Sequence, residues 1–193
     1  AEPGMLFFLA EFESAAAAIC PRGLLKRILD MAGAMGFEAK AAFEYEFFLF
    51  NETPHSVRAK GYQNLVPITP GFFGYSVLRN SVHAELYQEL LALCEQMDFP
   101  LEGLHTETGP GVLEAAITVD EAMAAADKAL LFKTFTKVWA QRHDMMATFM
   151  AKWSNDYPGQ SGHIHISLHN KHHQPVFYQA GALHTMSELQ KQF

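Results

Sequence analysis

Apolar residues along this chain recur with two periods, one strand-like and one helical, and polar stretches with Pro and Gly separate them. Residues 5–12 are a short apolar run that predicts a buried strand. From Pro21 and Arg22 to about Gly36, the residues Leu24, Leu25, Ile28, Leu29 and Met31 recur at helical spacing, and Gly36 stops the helix. Residues 39–50 predict a strand. Residues 51–75 are polar, carry Pro54, Gly61, Pro67, Pro70 and Gly71, and predict a long loop, a feature usually functional or mobile in compact proteins. A second helix is predicted over 80–98, with Val82, Leu86, Leu90, Leu93 and Met97 on one stripe. Two strands follow, 99–107 and 112–117, around Gly109-Pro110-Gly111. Thr118-Val119-Asp120-Glu121 resembles a capping box opening a long helix to about Lys152. A turn over 158–162, a strand over 163–168, a turn over 170–174, a short strand over 175–178 and a helix from near Ala182 complete the chain. The alternation of strands and helices predicts an α+β domain.

Charged residues interrupt this pattern at three places. In Phe43-Glu-Tyr-Glu-Phe-Phe-Leu-Phe50, alternation puts Glu44, Glu46, Phe48 and Phe50 on one strand face and an all-apolar set on the other. Two carboxylates side by side repel and raise each other's pKa. A divalent cation removes that cost, because hard cations prefer carboxylate oxygens. The exposed half of an edge strand explains the same pattern. Glu107 and Glu114 flank Thr-Gly-Pro-Gly, a tight reversal that can bring two carboxylates close, although a hairpin with two solvent-facing acids is the simpler reading of this pair alone. In Gly162-His-Ile-His-Ile-Ser-Leu168, His163, His165 and Ser167 share a face suited to metal, carboxylate or phosphate. Two His at this spacing also suit zinc, but the cysteines are distant and the acids suit harder ions. The other histidines, His105 among them, read mostly as surface or packing residues.

Composition narrows the classes. A chain of 193 residues with 49% hydrophobic and 18% charged residues can bury a core, as one domain or at most two small ones. The net charge of −7, without a dense Lys/Arg run, argues against a nucleic-acid partner and suits a collector of Mg²⁺ or Mn²⁺. Cys20 and Cys94 have no CxxC partner, which points to a reducing compartment. The Met5–Ala10 run is too short to span a bilayer and has no basic segment before it. No membrane partner and a cytoplasmic location are the expectations.

In order and spacing, these elements resemble part of the catalytic domain of the glutamine synthetase family, from about Met5 onward. The motifs that carry the resemblance are Pro21-Arg22-Gly-Leu-Leu-Lys-Arg-Ile-Leu, Phe43–Phe50, Glu107-Thr-Gly-Pro-Gly-Val-Leu-Glu114, Thr148-Phe-Met-Ala-Lys152 and Gly162–Leu168. The resemblance implies a curved antiparallel sheet, a half barrel with flanking helices. It implies that Glu46, Glu107 and Glu114 hold one metal and Glu44 and His163 a second. Glu102, His165 and Ser167 fall on nucleotide-contacting positions, Gly159 on the glutamate-binding loop, and Tyr75 on an ammonium-site tyrosine. Strict strand alternation sets Glu102 on the face opposite Glu107. The implied cofactors are ATP and two or more Mg²⁺ or Mn²⁺. The implied reaction joins the γ-carboxylate of glutamate to ammonia through γ-glutamyl phosphate, in a homo-oligomeric ring.

Several positions depart from the family pattern. Val112-Leu113 replaces Gln-Trp or Gln-Asn, Pro158 stands where an Asn is expected, and Ala151 replaces Pro in Phe149-Met-Ala-Lys152. Gln160-Ser-Gly-His163 replaces the usual Gly-Ser-Gly-Met-His. The metal set is intact while the amino-acid loop is altered, so a γ-glutamyl ligase using another amine is the alternative. A non-catalytic relative would be expected to lose metal ligands, and all five are present. Residues 1–193 are expected to form a single partial catalytic domain, without the family's amino-terminal β-grasp domain and without the later part of the catalytic domain. That part supplies substrate-binding arginines and a catalytic glutamate, so the chain alone is expected to be inactive.

Overall fold

Strand β1 (Phe37–Phe50) organises the fold, and its 14 residues make it the longest strand. In this computed structural model, which describes residues 6–193, β1 belongs to a six-stranded sheet. It pairs antiparallel with β3 (Val112–Ile117), β4 (Asp120–Glu121) and β5 (Met146–Thr148), and it also pairs with β6 (Gly162–Asn170). β2 (Leu101–Thr106) pairs antiparallel with β3 and completes an open order β2-β3-β1-β4. The predicted α+β architecture with an antiparallel sheet and flanking helices is therefore present.

The chain separates into two compact units. One comprises Phe43–Thr118 and Lys128–His163. Its core lies where the apolar end of β1 is covered on both faces. Phe47 and Leu49 pack with Leu90, Cys94, Phe99, Leu113, Phe132 and Trp139, while Phe48 and Phe50 pack with Val112 and Trp153. All four β1 residues from Phe47 to Phe50 have 0% exposure. Burial of that kind is worth about 3–5 kcal/mol per Phe truncated to Ala. The helices over this core are α4 (Ala84–Gln96) and α5 (Ala122–Arg142), the latter from Lys128 onward. Among the described residues, the second unit takes in 6–42, Val119–Asp127 and Ile164–Phe193. It holds α1 (Pro21–Ala34), which starts with Pro at its first turn and the Cys20 thiol capping the Gly23 N–H. Arg22 on α1 forms ion pairs with Asp127 and Glu11.

Several predicted elements differ. Of the strand expected over 5–12, Met5 lies outside the described residues, and residues 6–12 join no ladder; Leu6 is 82% and Phe8 81% exposed. An apolar run becomes a strand only where an edge receives it. On α1, Leu24, Ile28 and Met31 are more than half exposed, so the helical stripe exists but is not a core face within this unit. The helix expected over 80–98 is broken at His83 into α3 (Val77–Val82) and α4. The loop over 51–75 contains α2 (Pro54–Ala59), closed by a capping box between Thr53 and Ser56. Thr118 caps nothing: its hydroxyl donates to the Pro100 carbonyl at 2.8 Å, and α5 begins after β4. Nor does α5 reach Lys152. Asp144 takes φ 54, and Met146–Thr148 instead pairs with Phe48–Phe50, burying Met145 and Ala147. The strand expected over 175–178 is reduced to isolated bridges, and α6 (Glu188–Gln192) is all that forms of the last predicted α-helix.

Candidate functional site

Cross-strand register assembles the acidic residues. In the β1–β3 ladder Glu46 lies opposite Glu114, with Glu44 opposite Ala116. In the β2–β3 ladder His105 lies opposite Glu114. Glu114 thus stands on the middle strand with Glu46 on one side and His105 on the other. Directly opposed side chains are near neighbours across a sheet, so like charges there are unfavourable unless something binds between them.

The reversal between Glu107 and Glu114 is held by backbone. Gly111 has φ +69, and a Cβ there would lie 2.5 Å from the Leu49 carbonyl oxygen, so only glycine fits. Its carbonyl accepts from the Leu49 N–H at 2.8 Å, and its N–H donates to the Thr69 hydroxyl at 3.0 Å. The Glu107 N–H donates to the Val112 carbonyl at 3.1 Å. The carboxylates are therefore presented by a hairpin anchored to β1 and to the 51–75 loop.

Two groups result. The ligand atoms of Glu44, Glu114 and His163 lie within 4.8 Å of one another, and so do those of His105, Glu107 and Glu114. Glu114 is common to both. His163 Nδ1 is 3.1 Å from Glu44, and His105 Nε2 is 3.5 Å from Glu114. Glu46 is outside both groups; it accepts the Ser161 N–H at 2.6 Å and the Ser161 hydroxyl at 3.2 Å. Ser161 also accepts the Glu46 N–H at 3.1 Å, which straps the segment entering β6 to β1.

Tyr75 joins the site from the loop. Its backbone is left-handed (φ 57), its N–H donates to the Thr106 carbonyl at 2.8 Å, and its ring stacks on His105 with centroids 4.9 Å apart. The hydrogen bond between its phenol and Glu107, reinforced by that carboxylate's charge, pushes the phenol up to about 12. For Glu107, burial raises the carboxyl, but hydrogen bonds from Tyr75 and Thr108 outweigh it and leave it below the usual carboxylate range. Glu114 goes the other way. Burial raises its carboxyl, His105 lowers it, and Glu44, Glu46 and Glu107 raise it further. One imidazole and three carboxylates thus surround a half-buried carboxylate. That donor set, oxygen-rich with two imidazoles nearby, fits a divalent cation, which would offset the burial and the like charges that hold Glu114 above the usual carboxylate range.

The other predicted residues are placed as follows. Glu102 is exposed and sits at a register shift between Leu101 and Gly103. Across that bulge strict alternation no longer relates its face to that of Glu107. Gly159 lies in the 149–161 loop, where a Cβ would meet the Ala151 carbonyl oxygen at 2.5 Å; glycine is required there by backbone crowding. His165 and Ser167 follow His163 at alternate positions of β6 and belong to the second unit. Sequence reasoning did not single out His105 or Ser161. For His105 a signal existed, since it lies two residues before Glu107 on the same strand. For Ser161 none did.

Comparison with known proteins gives a consistent result. The family described as glutamine synthetase, catalytic domain, matches residues 18–193. The chain is 45% identical over 147 residues to type-1 glutamine synthetase 2 of Dictyostelium discoideum, covering 76% of this chain and 28% of that protein. It is 36% identical over 159 residues to glutamate–isopropylamine ligase of a Pseudomonas species, covering 82% of this chain and 35% of the relative. The chain thus spans about a third of the length of these curated relatives. The solved structure of apo GmaS without ligand superposes with a TM-score of 0.75 at 24% identity, over 87% of this chain and 38% of the other, a likeness of fold.

Proposed function

This chain belongs to the glutamine synthetase family through its catalytic domain, and on that premise we propose that it carries the cation-binding part of an ATP-dependent glutamate–amine ligase active site. The proposed reaction is the family's. A γ-carboxylate oxygen of glutamate attacks the terminal phosphorus of ATP, ADP leaves, and the amine nitrogen then displaces phosphate from the acyl carbon to give the γ-amide. With ammonia the product is glutamine.

Glu44, Glu46, Glu107, Glu114 and His163 are assigned to binding Mg²⁺ or Mn²⁺. Bound cations offset the negative charge that builds on a phosphoryl group in transfer. Glu107 and Tyr75 are assigned to the amine. A carboxylate held below its usual range stays ionised, attracts ammonium, and can then accept its proton. Tyr75, with its phenol pushed up to about 12, stays a neutral hydrogen-bonding group beside it. Glu102, His165 and Ser167 are assigned to the nucleotide and Gly159 to the glutamate loop. A ring-shaped homo-oligomer and a cytoplasmic location complete the proposal; the buried, unbridged thiols of Cys20 and Cys94 suit a reducing compartment.

The observation that carries this reading is Glu114, placed by its strand register among three other carboxylates and two imidazoles. A second reading, an amine other than ammonia, is favoured by the altered loop at Pro158 and Gln160 and by the likeness to the isopropylamine ligase. The test is glutamate-dependent ADP release by the protein that carries this chain, with ammonium and with a panel of primary amines. Release with ammonium alone supports the first reading, release with a larger amine the second. ATP turnover that ignores glutamate under every condition would refute both.

A further inference from the structure

We propose that Ser161 is a positioning residue that holds the Glu46 carboxylate for the cation and ties the 149–161 loop to it, so that cation binding and loop order support each other. The inference rests on the cation-binding reading above, in which Glu46 is one of the ligands. It leaves that set unchanged and adds a residue that acts through Glu46.

The contact between the two residues is reciprocal. The Ser161 N–H donates to Glu46 Oε2 at 2.6 Å and the Ser161 hydroxyl donates to Oε1 at 3.2 Å, while the Ser161 carbonyl accepts the Glu46 N–H at 3.1 Å. These bonds join residues 115 apart in sequence, and they fix both the backbone at Glu46 and the plane of its carboxylate. A free Glu side chain gives up rotamer freedom when it takes an ion, and here much of that freedom is already gone. An ionised carboxylate offers about four lone-pair positions on its two oxygens. Ser161 takes one on each oxygen and leaves the others to a cation, so it orients Glu46 without blocking it. Groups that hydrogen-bond a ligand in this way set its geometry and the affinity of the site.

The loop is fastened on its other side as well. The Gln160 N–H donates to the Ala151 carbonyl at 2.8 Å, and the Gln160 side-chain amide donates to the Phe149 carbonyl at 2.9 Å. Residues 151–160 thus form a loop closed at its neck, and Ser161 links the neck to Glu46. Counted back from His163 without gaps, Gln160 and Ser161 stand where the family pattern has Ser and Gly. A glycine has no hydroxyl to offer, so the bond to Oε1 arises at a position where this loop departs from that pattern. An ion that fixes Glu46 also holds the neck, and the effect runs equally in the other direction.

The experiment measures Mn²⁺ affinity by calorimetric titration of the purified chain and of Ser161→Ala, Ser161→Thr and Glu46→Ala, and follows hydrogen exchange of residues 149–162 by mass spectrometry. Ser161 is exposed, so its substitutions leave the core intact. For the binding event that Glu46→Ala weakens, Ser161→Ala is expected to lose about tenfold in affinity, and Ser161→Thr, which keeps the hydroxyl, to stay near the unaltered value. In the Glu46→Ala background, Ser161→Ala is expected to change the affinity no further, a result that a merely structural role would not give. Mn²⁺ is expected to slow exchange over 149–162 in the unaltered chain and much less in Ser161→Ala; equal slowing in both would overturn the coupling. Undiminished or tighter Mn²⁺ binding by Ser161→Ala, or an equal loss in both backgrounds, would overturn the assignment of Ser161 while leaving the cation site standing. Failure of the unaltered chain to bind Mn²⁺ would instead overturn the cation-binding reading, and this one with it.

Discussion

Glu52 and Glu114 are both carboxylates withdrawn from water in the same unit, and they are treated in opposite ways. Glu52, two residues past β1, is 1% exposed. It accepts from the Lys60 ammonium, the Ser56 hydroxyl and the Val66 N–H, and these donors, Lys60 first, hold it below the usual carboxylate range. Glu114 lies on β3 with 14% of its side chain exposed, and burial holds it above that range. Around it stand Glu44, Glu46 and Glu107, with His105 as the group that lowers it. A carboxylate kept for structure brings its own cation and donors from the same chain segment. On the function proposed above, Glu114 is kept for binding and left short of such partners, a deficit that a metal ion would fill.

The largest expected effect breaks the structural side of this contrast. Glu52→Ala leaves Lys60 and two donors without their acceptor and is expected to destabilise the fold by about 3 kcal/mol, read by urea denaturation. The pH dependence has a definite sign. Because Glu52 is depressed in the folded state, its contribution is full above the unfolded carboxylate value and is lost as pH falls through the lower folded value. Acid titration of Glu52→Ala should therefore lose less stability below about pH 4.5 than the unaltered chain.

Next in size is the effect of the ion. With Mn²⁺ at a hundred times its Kd, the unaltered chain should gain about 2.7 kcal/mol of stability per independent site, measured as an upward shift in Tm. The smallest effect has the opposite sign from Glu52→Ala. In metal-free buffer Glu114→Gln should stabilise the fold by up to about 1 kcal/mol, because it removes a charge that burial and three like neighbours disfavour. Destabilisation by Glu114→Gln under those conditions would erase the distinction between the two carboxylates.

Much of the site was legible before the fold was seen, because period-2 alternation already put Glu44 and Glu46 beside an apolar face and His163 on a strand. What alternation could not supply was register. That Glu46 faces Glu114 depends on how β3 slides against β1, where Gly111 contacts Leu49, and that His105 faces it from the other side depends on the separate register of β2 on β3. At Glu102 a bulge interrupts the count, so alternation from Glu107 does not fix its face. In the fold, α5 was extended ten residues too far because Met145–Phe149 is as apolar as the helix before it, and periodicity cannot separate a buried strand from a buried helical turn in so short a run. The exposed face of α1 shows the converse limit. Leu24, Ile28 and Met31 have the spacing of a core stripe, yet periodicity does not say what a stripe packs against.

The central claim is that Glu114 is the shared member of two cation-binding groups, and calorimetric titration of Mn²⁺ into the unaltered chain and into Glu114→Gln tests it most directly. The account predicts two binding events in the first and the loss of both, by at least tenfold in affinity, in the second. Two undiminished binding events in Glu114→Gln, in a protein that remains folded, would contradict it.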